Sequence, residues 1–273
     1  MRAPAALLDP EWPAPRAAGG TLWAALAATL ARFDDRPTVA QLNEAARAMG
    51  LTNAQGMALR FERQDSSMSQ RQYEQQIYDH GIVATRDQSW HDLFNACVWL
   101  TFGATKAALN AVHVRQPIGL SRTPASDAAT LFDESGAVLI GPDPRLAQSL
   151  ADHDWHRAFV QYRHLWQTHH LLVLGHAIFE KLATLQTPYP GMIAKVAYLP
   201  WPALGSPVTG PPQGLDQALA TNWLNQTYPR PANLFAVPIL GVPGAHPDNR
   251  KPHYYENTEV FRPKRIKGPV SQA

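Results

Sequence analysis

The chain has 273 residues, 45% of them hydrophobic, with 8 Trp, 8 Tyr and 9 Phe, which is enough apolar material for a substantial core. Its 24 basic and 22 acidic residues leave a formal charge of +2, too balanced for a polyanion-binding surface. A single cysteine rules out an intramolecular disulfide framework, and the apolar surroundings of Cys97, between Ala96 and Val98, predict a buried small hydrophobe.

In chain order, Pro4, Pro10, Pro13 and Pro15 mark residues 1–20 as a Pro/Ala-rich flexible lead-in. The apolar run from Leu22 to Ala31 starts too far from Met1 and lacks a cleavage site for a secretory signal, so it is read as a helix in a cytoplasmic protein. Thr38 with Gln41 and Ser69 with Gln72 have capping-box spacing, and Gly50 and Gly81 stand where such helices stop. Met57 to Glu62 reads as a short strand. Ser89 opens a helix whose apolar residues recur through Phe102, and Gly103 turns the chain into a second helix, from about Ala104 to His113. Apolar runs at 128–132 and 137–140 flank Asp133-Glu134-Ser135-Gly136, which predicts a β-hairpin. Asp143-Pro144 begins another helix, and further helices are expected at Trp155 to Gln167, Leu171 to Leu185 and Leu215 to Gln226. Pro200, Pro202, Pro207, Pro211 and Pro212 punctuate a final third of loops and edge strands.

The expected fold class is therefore mainly α (α+β): a helical domain with a small β-hairpin or short sheet and a Pro-rich, irregular C-terminal third. One globular domain spans 21–262, followed by a basic flexible tail, 263–273, carrying Lys264, Arg265 and Lys267. A solvated end explains that tail better than a nucleic-acid arm does.

No phosphate-cradling glycine loop, nucleophile elbow, paired-cysteine zinc motif or His-Glu-x-x-His occurs in the sequence, so function must be sought in constellations. The richest is Thr85 to Asn95, which offers Arg86, His91, Asp92 and Asn95 at the start of one helix. His91 and Asn95 share a face. His91 is either a metal ligand or general base, or a core histidine satisfying backbone groups. Asp92 is either a catalytic carboxylate or a first-turn residue favoured by the helix dipole. Lys106 and Asn110 form a stripe with His113 on the next helix, lining a cleft or facing solvent. Asp127 precedes the predicted hairpin and aims a carboxylate at a pocket or caps a strand. His176 and Glu180, four apart, suit a divalent metal ion through nitrogen and oxygen, with His91 or Asp127 as the third ligand. Stretches such as Trp90-His91-Asp92-Leu93-Phe94-Asn95-Ala96, Thr105-Lys106-Ala107-Ala108-Leu109-Asn110 and Gly175-His176-Ala177-Ile178-Phe179-Glu180-Lys181 resemble the bacterial domain-of-unknown-function family numbered 3025. The resemblance runs from about Thr38 to Pro263 and implies a bacterial cytosolic domain without an assigned activity.

Two functions compete. One is a small-molecule enzyme, a metal-assisted hydrolase with His91, Asp92 and Asp127 in catalytic roles. In it Arg86, Asn95, Lys106 and Asn110 hold substrate, and His176 and Glu180 hold a divalent metal. The other is a non-catalytic module that binds a protein partner through the Trp- and Pro-rich surface around Tyr198-Leu199-Pro200-Trp201.

Overall fold

The computed structural model describes residues 12, 20–64, 68–115, 122–184, 191–205 and 207–264. The rest of the predicted lead-in, the Pro188–Pro190 interruption and the tail from 265 lie outside the described residues. The first apolar run forms a 3-10 turn, Thr21–Trp23, and a short helix, α1 (Ala27–Leu30). Both predicted capping boxes are present: Thr38 starts α2 (Val39–Ala48) and Ser69 starts α3 (Gln70–His80), each bonded reciprocally with the glutamine three residues on. Gly81 ends α3 in the left-handed conformation at φ +67°, where a Cβ would collide with the Ala58 carbonyl.

β1 (Arg60–Arg63) pairs in parallel with β2 (Ile82–Thr85), with α3 as the crossover between them. Next come α4 (Trp90–Thr101) and α5 (Gly103–Val114), joined at Phe102 in the tight corner that Gly103 predicted. The predicted hairpin is not formed. Residues 124–135 are helix α6 (Pro124–Ser135), which runs without a loop into β3 (Gly136–Gly141). The governing signal is Thr123-Pro124-Ala125-Ser126, in which Thr123 and Ser126 make a capping box around a proline at the first helical turn. That start commits Asp133 and Glu134 to the last helical turn.

Asp143 caps α7 (Pro144–Ala151) as expected. Instead of one α-helix, the segment after Trp155 is a π-helical stretch at Arg157–Gln161 and a 3-10 helix at Arg163–Gln167. The helix expected from Leu171 begins later, because residues 170–173 are strand β4 (His170–Val173), paired antiparallel with β3. A short apolar run suits a buried strand as well as a helix, and here sheet pairing decides. Helix α8 (His176–Thr184) follows, then β5 (Ile193–Pro200), α9 (Leu215–Leu224) and β6 (Phe235–Pro238).

The larger sheet has the order β4-β3-β5-β6, with β3 and β5 parallel and both outer pairs antiparallel. β5, expected at an edge, is therefore an inner strand, whereas β6 ends in Pro238 on the edge, where a missing N–H is tolerated. All six residues of β3 are buried, as befits a strand covered on both faces. Helix α6 packs on β3 and β5, and α8 packs on both α4 and α6.

Buried apolar side chains from all these elements join one cluster, with Trp99, Phe94, Phe132, Phe159, Phe179 and Trp223 among its largest members. Cys97 is fully buried within it, and burial pushes its thiol up to about 12. Trp12, in the stretch read as a flexible lead-in, is buried as well: its indole N–H donates to the Phe33 carbonyl at 2.9 Å and its ring stacks on Trp90. Trp201 is half-buried and packs against the core. Among the described residues no helix is long and apolar enough to cross a membrane.

Candidate metal centre and cleft

Three helix ends line a cleft of about 490 Å³. Helix α4 brings His91 and Asp92 in its first turn, α6 brings Asp133 and Glu134 in its last, and α8 begins with His176. The chain reaches α4 through a turn held by Asp92, whose carboxylate accepts from the Arg86 backbone N–H at 2.7 Å, Nε at 2.9 Å and Nη2 at 2.8 Å. Burial alone would raise the Asp92 pKa, yet these bonds hold it below the usual carboxylate range. Asp92 does not reach back to complete a capping box with Ser89; it clamps Arg86 instead.

His91 and His176 face each other with Nε2 to Nε2 at 3.0 Å, their rings edge to face. Glu134 Oε1 lies 3.6 Å from His176 Nε2 and 3.9 Å from His91 Nε2. Each outer ring nitrogen is turned toward a carboxylate. His91 Nδ1 is 3.0 Å from Glu180 Oε2, and the buried His176 Nδ1, which has no hydrogen-bond partner, lies 3.9 Å from Asp133 Oδ1. Two donors about 2.0–2.1 Å from one ion at angles between octahedral and tetrahedral are roughly 2.9–3.4 Å apart, which brackets the observed nitrogen separation. Among the described residues, His91, Glu134 and His176 are the group whose ligand atoms converge in this way.

The predicted metal pair is thus split. His176 points into the convergence, whereas Glu180, one turn further along α8, stands behind His91, where a carboxylate orients an imidazole ligand from the far side. Asp127 is removed from the site altogether: it sits in the first turn of α6, paired with Arg122 at 2.8 Å, because the helix carries it away from the end that bears Glu134.

Arg86 and Asn95 line the cleft as expected, with Asn95 Nδ2 donating to the Tyr73 hydroxyl at 2.8 Å. Lys106 and Asn110 do not line it. Their stripe on α5 is buried rather than wet: Lys106 is ion-paired with Asp133 and lies 5.5 Å from the Trp99 ring centroid, while Asn110 Nδ2 donates to Glu74 Oε2 at 2.8 Å. Burial would raise Asp133, but the Lys106 ammonium paired with it holds it low.

Several cleft residues carry no clear signal in the sequence. Asp133 and Glu134 have turn chemistry in the sequence, whereas the helix that carries them is signalled only at its Thr123-Pro124 start. Tyr73 and Glu74 also line the cleft, on α3, and of the predicted α5 stripe only His113 reaches it. Glu74 stands out: burial pushes its carboxyl up to about 7, with Asp133 adding to the effect and Asn110 and Lys106 opposing it. No local signal separates Glu74 from its polar neighbours on α3, since its burial comes from α5 packing across it.

No curated protein and no solved structure matches the chain. The family described as "Protein of unknown function (DUF3025)" matches residues 59–265, leaving α1 and α2 outside the matched region; the chain belongs to that family.

Proposed function

We propose that the protein is a bacterial, cytoplasmic, metal-dependent hydrolase of a small molecule. A divalent ion of the zinc class would be held by His91, His176 and Glu134. The single observation behind this reading is the 3.0 Å approach of two imidazole Nε2 atoms whose outer nitrogens are turned toward carboxylates. A neutral imidazole carrying its proton on Nδ1 presents a lone pair at Nε2, so two such rings oppose lone pairs across a gap that a cation relieves. Glu134, with a half-exposed side chain, closes the remaining few tenths of an ångström by rotation. Three protein ligands leave a coordination position for water, which a zinc-class ion acidifies into a nucleophile near neutral pH. Glu180 fixes the tautomer and angle of His91, and Arg86, 63% exposed at the rim, supplies positive charge for an anionic group on the substrate.

Metal analysis of the purified chain tests the reading directly. One equivalent of metal is expected in the unmutated protein, dropping below a tenth in His91→Ala and His176→Ala, whereas Asp127→Ala retains it. Folded protein that stays metal-free after dialysis against zinc would end this proposal.

A further inference from the structure

We infer that Glu74 is the proton-exchanging group of the cleft, taking the proton from an acidic group that binds the His91–Glu134–His176 centre and returning it on release; this rests on the metal-centre reading above. Glu74 lines the same cleft as the three ligands, and its side chain is 14% exposed, so it is desolvated yet reachable. The other cleft carboxylates are committed. Asp92 is bound by Arg86, Asp133 by Lys106, and Glu134 faces both histidines. For Glu74, Oε2 accepts from Asn110 Nδ2 at 2.8 Å, while Oε1 has His113 Nε2 only at 3.9 Å. One oxygen is anchored and the other is left to gain and lose a proton.

The groups facing it from the surrounding elements set that balance. Tyr73 is its neighbour on α3, Lys106, Asn110 and His113 come from α5, and Asp133 comes from α6. Burial lowers the proton affinity of His113, so that ring supplies little positive charge near neutrality. A carboxyl that is half protonated near the working pH is suited to general acid–base exchange. The step conserves protons: a ligand LH and the Glu74 carboxylate become a centre-bound L⁻ and a Glu74 carboxylic acid, and departure of L⁻ with that proton reverses it.

Acetohydroxamic acid, which binds zinc-class ions as its anion, is the probe. Its binding to the zinc-loaded full chain and to zinc-loaded Glu74→Gln is measured by calorimetry in two buffers of different ionisation enthalpy, at about pH 8, above the Glu74 midpoint of about 7. Glutamine keeps an oxygen for the Asn110 bond, so the variant preserves that anchor. Because the bound hydroxamate anion beside Glu74 raises its proton affinity above that unliganded midpoint, the unmutated protein is expected to retain most of the hydroxamate proton. The variant is expected to release about one proton to buffer and to bind roughly tenfold more weakly, having lost a charge-assisted hydrogen bond. Zinc present in both proteins with equal proton release and equal affinity overturns the assignment of Glu74 while leaving the metal centre standing. Failure of the zinc-loaded protein to bind the hydroxamate overturns it too. Absence of zinc from both proteins removes the metal centre and this inference with it.

Discussion

Glu74 and Asp133 are buried carboxyls on one cleft whose acidities are driven in opposite directions. Both lose hydration, but Asp133 has the Lys106 ammonium against it and stays charged, whereas Glu74 has an amide and is pushed up to about 7. A carboxyl that holds its proton more tightly when folded stabilises the fold fully below its unfolded pKa, and the contribution is lost as pH rises through the folded one. Relative to Glu74→Gln, the unmutated protein should therefore lose stability between about pH 4.5 and about pH 7 and level off above, by about 3 kcal/mol in all. Urea denaturation of both proteins across that range checks the sign, and a flat difference would show that Glu74 titrates normally. At this scale the sequence was informative where a residue's role is local: Arg86 and Asp92 stand close together in the chain and bond in space. It was silent on Glu74, whose environment is built by α5 and α6.

Helix starts connect residues to elements here. Asp216, in the first turn of α9, accepts from the backbone N–H groups of Ala104 and Thr105 at 2.9 and 2.8 Å and from the Thr105 hydroxyl at 2.6 Å. One carboxylate thus caps α5 from another helix, since Phe102 at the corner supplies no side-chain cap. Asp216→Ala should cost about 2 kcal/mol in chemical denaturation, and Asp216→Asn, which keeps an acceptor, distinctly less. Because α5 carries Lys106 and Asn110, the alanine variant should also loosen the partners of Asp133 and Glu74. Capping signals within a segment were legible, as with Thr38, Ser69 and Ser89. The α6 start is equally visible at Thr123-Pro124, but the turn-forming character of Asp133 to Gly136 masks the helix's end. Gly175 marks another element-level constraint. A Cβ there would come within 2.6 Å of the Glu134 carbonyl, so the α6 end and the α8 start approach each other as closely as backbone allows, and His176 is placed beside Glu134.

At the scale of the molecule, the sheet orders what the helices present. β3 follows α6 directly and pairs with β4, which leads through Leu174 and Gly175 into α8. The end of α6 and the start of α8 therefore emerge at the same side of the sheet, and α4 packs across α8 to add His91. Trp12 lies outside the family match but inside the core, with its indole N–H on the Leu30 and Phe33 carbonyls and its ring on Trp90, next to His91. Trp12→Ala should lower stability by about 3 kcal/mol, seen as a fall of several degrees in Tm. An unchanged Tm would return residue 12 to the status of a loose lead-in.

Local chemistry, readable along the chain, determined most helices, their caps, the helical character of the fold and the candidacy of His91, His176, Arg86 and Asp92. Those features depend on interactions within four or five residues, which a sequence displays. Tertiary structure alone decided that Glu134 rather than Glu180 or Asp127 joins the two histidines, that the Lys106–Asn110 stripe faces inward, and that β4 is a strand. Each of these turns on which distant segment covers a surface, and burial of that kind has no signature in neighbouring residues.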